Sequence, residues 1–88
     1  MSKDLKMLYT VLELLNEMPS GVIYSVSDIN DYLNKNSFDT NKLETLLLLE
    51  NMKKNGYIEG DLINHIPCEF YVSRLTKNGK DYFQFFKD

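Results

Sequence analysis

Residues 39–58, DTNKLETLLLLENMKKNGYI, constrain this chain more than any other stretch. They carry the start, body and stop of one helix and the first residues of a strand. Asp39 is expected as the N-cap, because a carboxylate oxygen there accepts from the orphan N–H groups of the first turn. Phe38 before it and Leu43 after it have the spacing of a hydrophobic staple. Leu46, Leu49 and Met52 fall on one face. Lys53 and Lys54 in the last turn suit the helix dipole, and Gly56 supplies the stop. Tyr57 and Ile58 then open a strand.

Upstream, Ser2 or Asp4 opens a helix expected to run to Met18. Leu5, Leu8, Leu12 and Leu15 form one apolar stripe and Met7, Val11, Leu14 and Met18 a second beside it. Two stripes exceed the ~100° arc of a one-sided surface helix. Either the helix lies centrally, touching several elements, or one stripe faces another protomer. Pro19, Ser20 and Gly21 end it. Val22–Tyr24 is short, apolar and β-prone, and is placed as a brief strand. Ser25 and Asp28 have capping-box spacing ahead of a second helix, Val26–Asn34, with Val26, Ile29 and Leu33 on one face. Residues 34–37 form the turn, which gives helix-turn-helix spacing.

Downstream, Tyr57–Leu62 reads as a strand, with Gly60 marking a bulge or a close backbone approach. Asn64, His65, Ile66 and Pro67 make the tip of a wing. Glu69–Leu75 returns, with Phe70, Val72 and Arg74 alternating to one side and Tyr71, Ser73 and Leu75 to the other. Thr76 caps a last helix that reaches Lys87. Its Gly79 implies a close backbone contact. Tyr82, Phe83 and Phe86 face inward, and Phe85 is left outside. The order defines one α+β domain over residues 1–88: a winged helix-turn-helix of three helices, a small antiparallel β-hairpin wing and a C-terminal helix.

The run N-G-Y-I-E-G, a hairpin, and then R-L-T-K-N-G-K-D-Y-F resembles the second half of small bacterial and phage-borne winged-helix proteins of the YjcQ type. In those, an L-T-x-x-G segment opens the C-terminal helix. The resemblance implies a winged-helix fold and an origin on a bacterial chromosome or mobile element. It implies little about activity, because that family is largely uncharacterised.

Composition narrows the function classes. A chain of 88 residues has room for one small core, and 43% hydrophobic with 26% charged residues is a globular balance. The formal charge of −3 argues against a protein whose main task is to neutralise phosphates. Local patches matter more than the total, so DNA binding stays open. Cys68 has no second cysteine to pair with, which fits the cytoplasm. The N-terminal stretch lacks the apolar core of a signal peptide, and no run approaches a membrane span.

Double-stranded DNA is the first partner to consider. Thr40, Asn41, Lys42 and Thr45 would lie on the half of the third helix that enters a major groove, where Asn and Lys read base edges and Thr meets a thymine methyl. Lys35 and Asn36 in the turn and His65 at the wing tip would meet phosphate or the minor groove. Arg74 and Lys77, with Lys80, form a small basic cluster. Against this, residues 34–50 hold Lys35 and Lys42 but also Asp39, Glu44 and Glu50, a net negative charge, and no arginine. The alternative is a protein–protein module, either a homodimer or an adaptor for another protein. It would use Met7, Val11 and Leu14 of the first helix with Leu47, Leu48 and Phe85. No enzyme is expected. His65 and Cys68 are too few for a metal site and lack an orienting third group for nucleophilic catalysis. No glycine-rich phosphate loop or cofactor motif is present.

Overall fold

A computed structural model describes residues 2–63 and 69–87 of the chain, with side chains described for 2–61 and 70–87. Four helices and three strands follow one another as α1 (Lys3–Asn16), β1 (Tyr24–Ser25), α2 (Val26–Lys35), α3 (Lys42–Lys54), β2 (Ile58–Ile63), β3 (Glu69–Leu75) and α4 (Lys77–Lys87). The sheet has the order β1-β3-β2, antiparallel throughout. The expected tip residues 64–67, His65 among them, lie outside the described residues.

The helix ends follow local chemistry. Ser2 caps α1 by accepting from the Leu5 N–H. The capping box of α2 is present in both directions: Asp28 N–H donates to Ser25 Oγ at 3.2 Å, and Ser25 N–H donates to Asp28 Oδ2 at 3.0 Å. β1 is shorter and later than the sequence implies, and it leaves Ile23 exposed.

The turn between α2 and α3 departs most from expectation. Residue 37 adopts a left-handed backbone, φ 71°, although it is a serine. Ser37 N–H then bonds the Asn34 carbonyl at 3.2 Å, and Phe38 N–H bonds the Leu33 carbonyl at 3.1 Å. These are the two bonds of a Schellman motif, with Phe38 folded back onto the core beside Leu33. Asp39 and Thr40 extend the turn, and α3 is capped by Asn41, whose Oδ1 accepts from the Glu44 N–H at 2.9 Å. The expected Asp39 cap and the Phe38–Leu43 staple are therefore not formed. Phe38 is spent on closing α2, and Leu43 stands 64% exposed.

α3 ends in the same motif. Gly56, φ 78°, follows its last turn, and Tyr57 N–H reaches back to the Met52 carbonyl. The chain then enters β2. Here the register shifts: Glu59 faces Arg74, but Gly60 faces Val72, so Ser73 is the extra residue of a β-bulge. A side chain at residue 60 would collide with the Tyr71 carbonyl and the Phe70 ring. The bulge also changes the phase of β3. Phe70 and Val72 are buried as expected, but beyond the extra residue it is Leu75 that turns inward and Arg74 that faces solvent.

The core lies where α1, α2 and α3 meet the sheet. Val11, Leu12, Ile29, Leu33, Leu49 and Val72 are wholly buried. α4 closes the open side through aromatic rings. Phe83 packs 5.5 Å from Tyr9, and Tyr82 stacks on Tyr57 at 4.5 Å. Burial against Tyr57 pushes the Tyr82 phenol above its ordinary range. Thr76 fastens this helix to the end of α3. Its N–H donates to the Tyr57 carbonyl, its hydroxyl donates to the Gly56 carbonyl at 2.6 Å, and the same oxygen accepts from the Gly79 N–H at 3.0 Å.

Candidate nucleic-acid interface

The capping box and the Schellman turn fix where α3 begins. Its first turn is held by a polar cluster. Thr40 donates its hydroxyl to Glu44 Oε2 at 3.0 Å. Lys3 reaches across from α1, donating to the Asp39 carbonyl at 2.7 Å and lying 3.8 Å from Glu44 Oε2. The Thr40 N–H meets Asn34 Oδ1 at 3.4 Å. Lys35, Asn36, Asn41 and Lys42 are exposed and cluster at this end, with Thr40 half-buried among them. Asn36 donates its side-chain amide to the Tyr32 carbonyl and Asn41 uses its oxygen as the cap, so each keeps only part of its hydrogen-bonding capacity for a ligand.

Thr45 does not belong to this surface. It is the one buried polar residue among those described, wholly covered, and its hydroxyl donates to Asn30 Oδ1 at 2.9 Å. It lies at i, i+4, i+7 with Leu49 and Met52, on the face that α3 turns toward α2 and the core.

The expected basic cluster on β3 and α4 lies elsewhere. α4 starts beside Gly56, past the C-terminal end of α3. A helix of 13 residues is roughly 20 Å long, so Arg74 and Lys77 are a helix length from Lys42. Arg74 is exposed, but its guanidinium is engaged by Glu59, with Nε and Nη2 donating to the two carboxylate oxygens. Those bonds hold the Glu59 carboxyl below its ordinary range. Lys53 donates to the Gly60 carbonyl and lies 4.0 Å from Asp61. Lys77 and Lys80 are exposed on the first turn of α4.

The apolar candidates also divide. Met7 and Val11 are core residues, 3% and 0% exposed, because α1 lies centrally and its second stripe meets the rest of the fold. Leu14 and Leu48 are half-buried against that core. Leu47 and Phe85 are 56% and 76% exposed and remain available. Leu43 and Ile23 are exposed as well, against expectation. A groove of about 420 Å³ that no sequence motif marks runs between α1 and α3, lined by Asp4, Met7, Glu44, Leu47, Leu48 and Asn51. Among the described residues, no three His, Cys, Asp or Glu side chains come together as a metal site. No helix among them is long and apolar enough to cross a membrane.

The element order, the helix-turn-helix and the bulged hairpin followed by α4 define a winged helix. The same fold is seen in PadR of Bacillus subtilis, in its crystal structure with operator DNA. The match has a TM-score of 0.68 at 20% identity, covering 92% of this chain and 47% of that one. The chain thus spans about half the length of that regulator, and at this identity the likeness establishes the fold alone. No family model matches the sequence, and no curated protein matches it.

Proposed function

We propose that the chain is a DNA-binding regulatory protein of the winged-helix type, acting in the cytoplasm, with residues 1–88 forming one domain. Its relatives are the YjcQ-like proteins of bacteria and their phages. The observation that carries this is the exposed N-terminal end of α3, where Thr40, Asn41 and Lys42 stand beside Lys35 and Asn36 of the turn. That end is the part of a recognition helix that enters a major groove. The operator complex of PadR, a protein with the same fold, supports it. Lys35 and Lys42 would meet phosphate, and Asn41 and Asn36 would meet base edges or sugar. Arg74 is set aside by its pairing with Glu59, and Lys77 would reach only DNA that bends toward α4. A homodimer fits the same scheme, with Phe85 as its exposed apolar contact.

The contacts are few, so the salt dependence is shallow. Fluorescence anisotropy of a mixed-sequence duplex, titrated at low and then rising salt, tests this directly. Binding should weaken with salt, and Lys42→Ala and Lys35→Ala should each lower the slope of log K against log salt by about one. No binding at low salt would overturn it. The second reading is a winged helix that contacts protein and not DNA. Leu43 and Leu47, exposed on the outward side of α3, favour it.

A further inference from the structure

α3 carries apolar side chains beyond the face it buries. Leu49 and Met52 are buried, Leu46 and Leu48 are half-buried at its flanks, and Leu43 and Leu47 stand 64% and 56% exposed among polar neighbours. Nothing among the described residues covers Leu43 and Leu47. Beside Leu47 runs the groove between α3 and the first turns of α1. Met7, Leu47 and Leu48 line it together with the carboxylates of Asp4 and Glu44 and the amide of Asn51. Lys3 lies 3.8 Å from Glu44, but both side chains are about half exposed, so the pair leaves the rim only weakly neutralised. Asp4 has no ion-pair partner among the described residues.

The charge selects the occupant. A duplex would bring phosphates against Asp4 and Glu44. A second copy of the chain related by a two-fold axis through this face would set the same carboxylates against each other. What fits is apolar in the middle and cationic at the edges. We infer that this groove docks a short amphipathic helix of another protein, with leucine-like residues along one face flanked by lysine or arginine. Glu44 of the groove accepts from Thr40, so the groove adjoins the surface assigned above to DNA. Docking itself is independent of that assignment. Competition between the two rests on it.

The test uses the full chain and a fluorescein-labelled amphipathic peptide of leucine and lysine, with a twin in which every lysine is glutamate. Anisotropy should show saturable binding of the lysine peptide and at least tenfold weaker binding of its twin. Leu47→Ser and Asp4→Lys should each weaken the lysine peptide about tenfold while the thermal melt stays in place. Phe85→Ser, remote from the groove, should leave it unchanged. Equal binding of both peptides, no saturable binding, or indifference to Leu47→Ser and Asp4→Lys would overturn the proposal. So would a protein dimer that Leu47→Ser dissolves in sedimentation, since the occupant would then be a second copy. A labelled duplex separates the two proposals. If it binds and the peptide displaces it, the shared surface is supported. If it binds and the peptide does not displace it, the overlap is wrong. If it never binds, only the regulator proposal fails.

Discussion

Arg74 holds Glu59 across the β2–β3 ladder through two hydrogen bonds, Nε to Oε2 at 2.6 Å and Nη2 to Oε1 at 2.7 Å. The two residues are register partners immediately beside the bulge. Without the bulge, Arg74 would share a side with Val72 and point into the core. The pair depresses the Glu59 carboxyl, chiefly by the hydrogen bonds from Arg74. A depressed carboxyl stabilises the fold above the unfolded pKa, and its contribution is lost as pH falls through the lowered value. In Arg74→Ala, Glu59 should return to the ordinary carboxylate range, followed by carboxyl-carbon NMR across an acid titration. An unchanged Glu59 titration would refute the pairing. Loss of global stability should be small, because both groups are exposed.

Thr45 carries a structural hydroxyl. Thr45→Val keeps the shape but leaves Asn30 Oδ1 without its donor at the α2–α3 contact. The expected cost is about 1–2 kcal/mol in urea unfolding. Duplex affinity measured well below the melting temperature should be unaltered, in contrast to Lys42→Ala.

Ser37 and Gly56 occupy the same position in two Schellman motifs, with φ of 71° and 78°. Only one of them is the residue that this conformation favours. Ser37→Gly should therefore raise stability by about 0.5–1 kcal/mol, and Gly56→Ala should lower it by about 1 kcal/mol or more. Paired denaturation curves check both signs at once. Equal signs would mean that the two turns are not equivalent.

Gly79 sits inside α4, where intrinsic propensity favours alanine by about 1 kcal/mol. A methyl group there would overlap the Tyr57 carbonyl oxygen and approach Leu75 Cδ1 to 2.6 Å. Overpacking against backbone outweighs propensity, so Gly79→Ala should destabilise by about 2–3 kcal/mol. A stabilised Gly79→Ala variant would show that α4 packs farther from β2 than described.

Much of the fold was legible because it depends on local chemistry. Ser25 with Asp28, Gly56 after Met52, and Thr76 before Gly79 mark helix ends through spacing alone. The beginning of α3 was not legible, because Asp39 and Asn41 are both competent caps. The choice between them depends on Ser37 adopting a conformation that serine seldom takes. Thr45 was misplaced for a different reason: it shares the i, i+4, i+7 face of Leu49 and Met52, and a polar residue there is read as outward until its partner Asn30 is seen. The bulge misled in the same way: alternation along β3 predicts Arg74 inward until an extra residue shifts the phase. The interface candidates on α1 and α3 divided because periodicity reports which residues are apolar but not what covers them. Met7 and Val11 were claimed by the core, while Leu47 was left outside. The groove beside Leu47 joins residues far apart in the sequence, Asp4 with Glu44, so no local motif announces it.

Thr76 makes the exit of α3 and the entry of α4 a single joint, since one side chain serves the Gly56 carbonyl and the Gly79 amide together. Releasing α4 therefore uncovers the Tyr57 and Gly56 carbonyls in the same event. In hydrogen exchange, the Thr76 and Gly79 amides should open with a common free energy, since one donates to the Tyr57 carbonyl and the other to the hydroxyl that is anchored on Gly56.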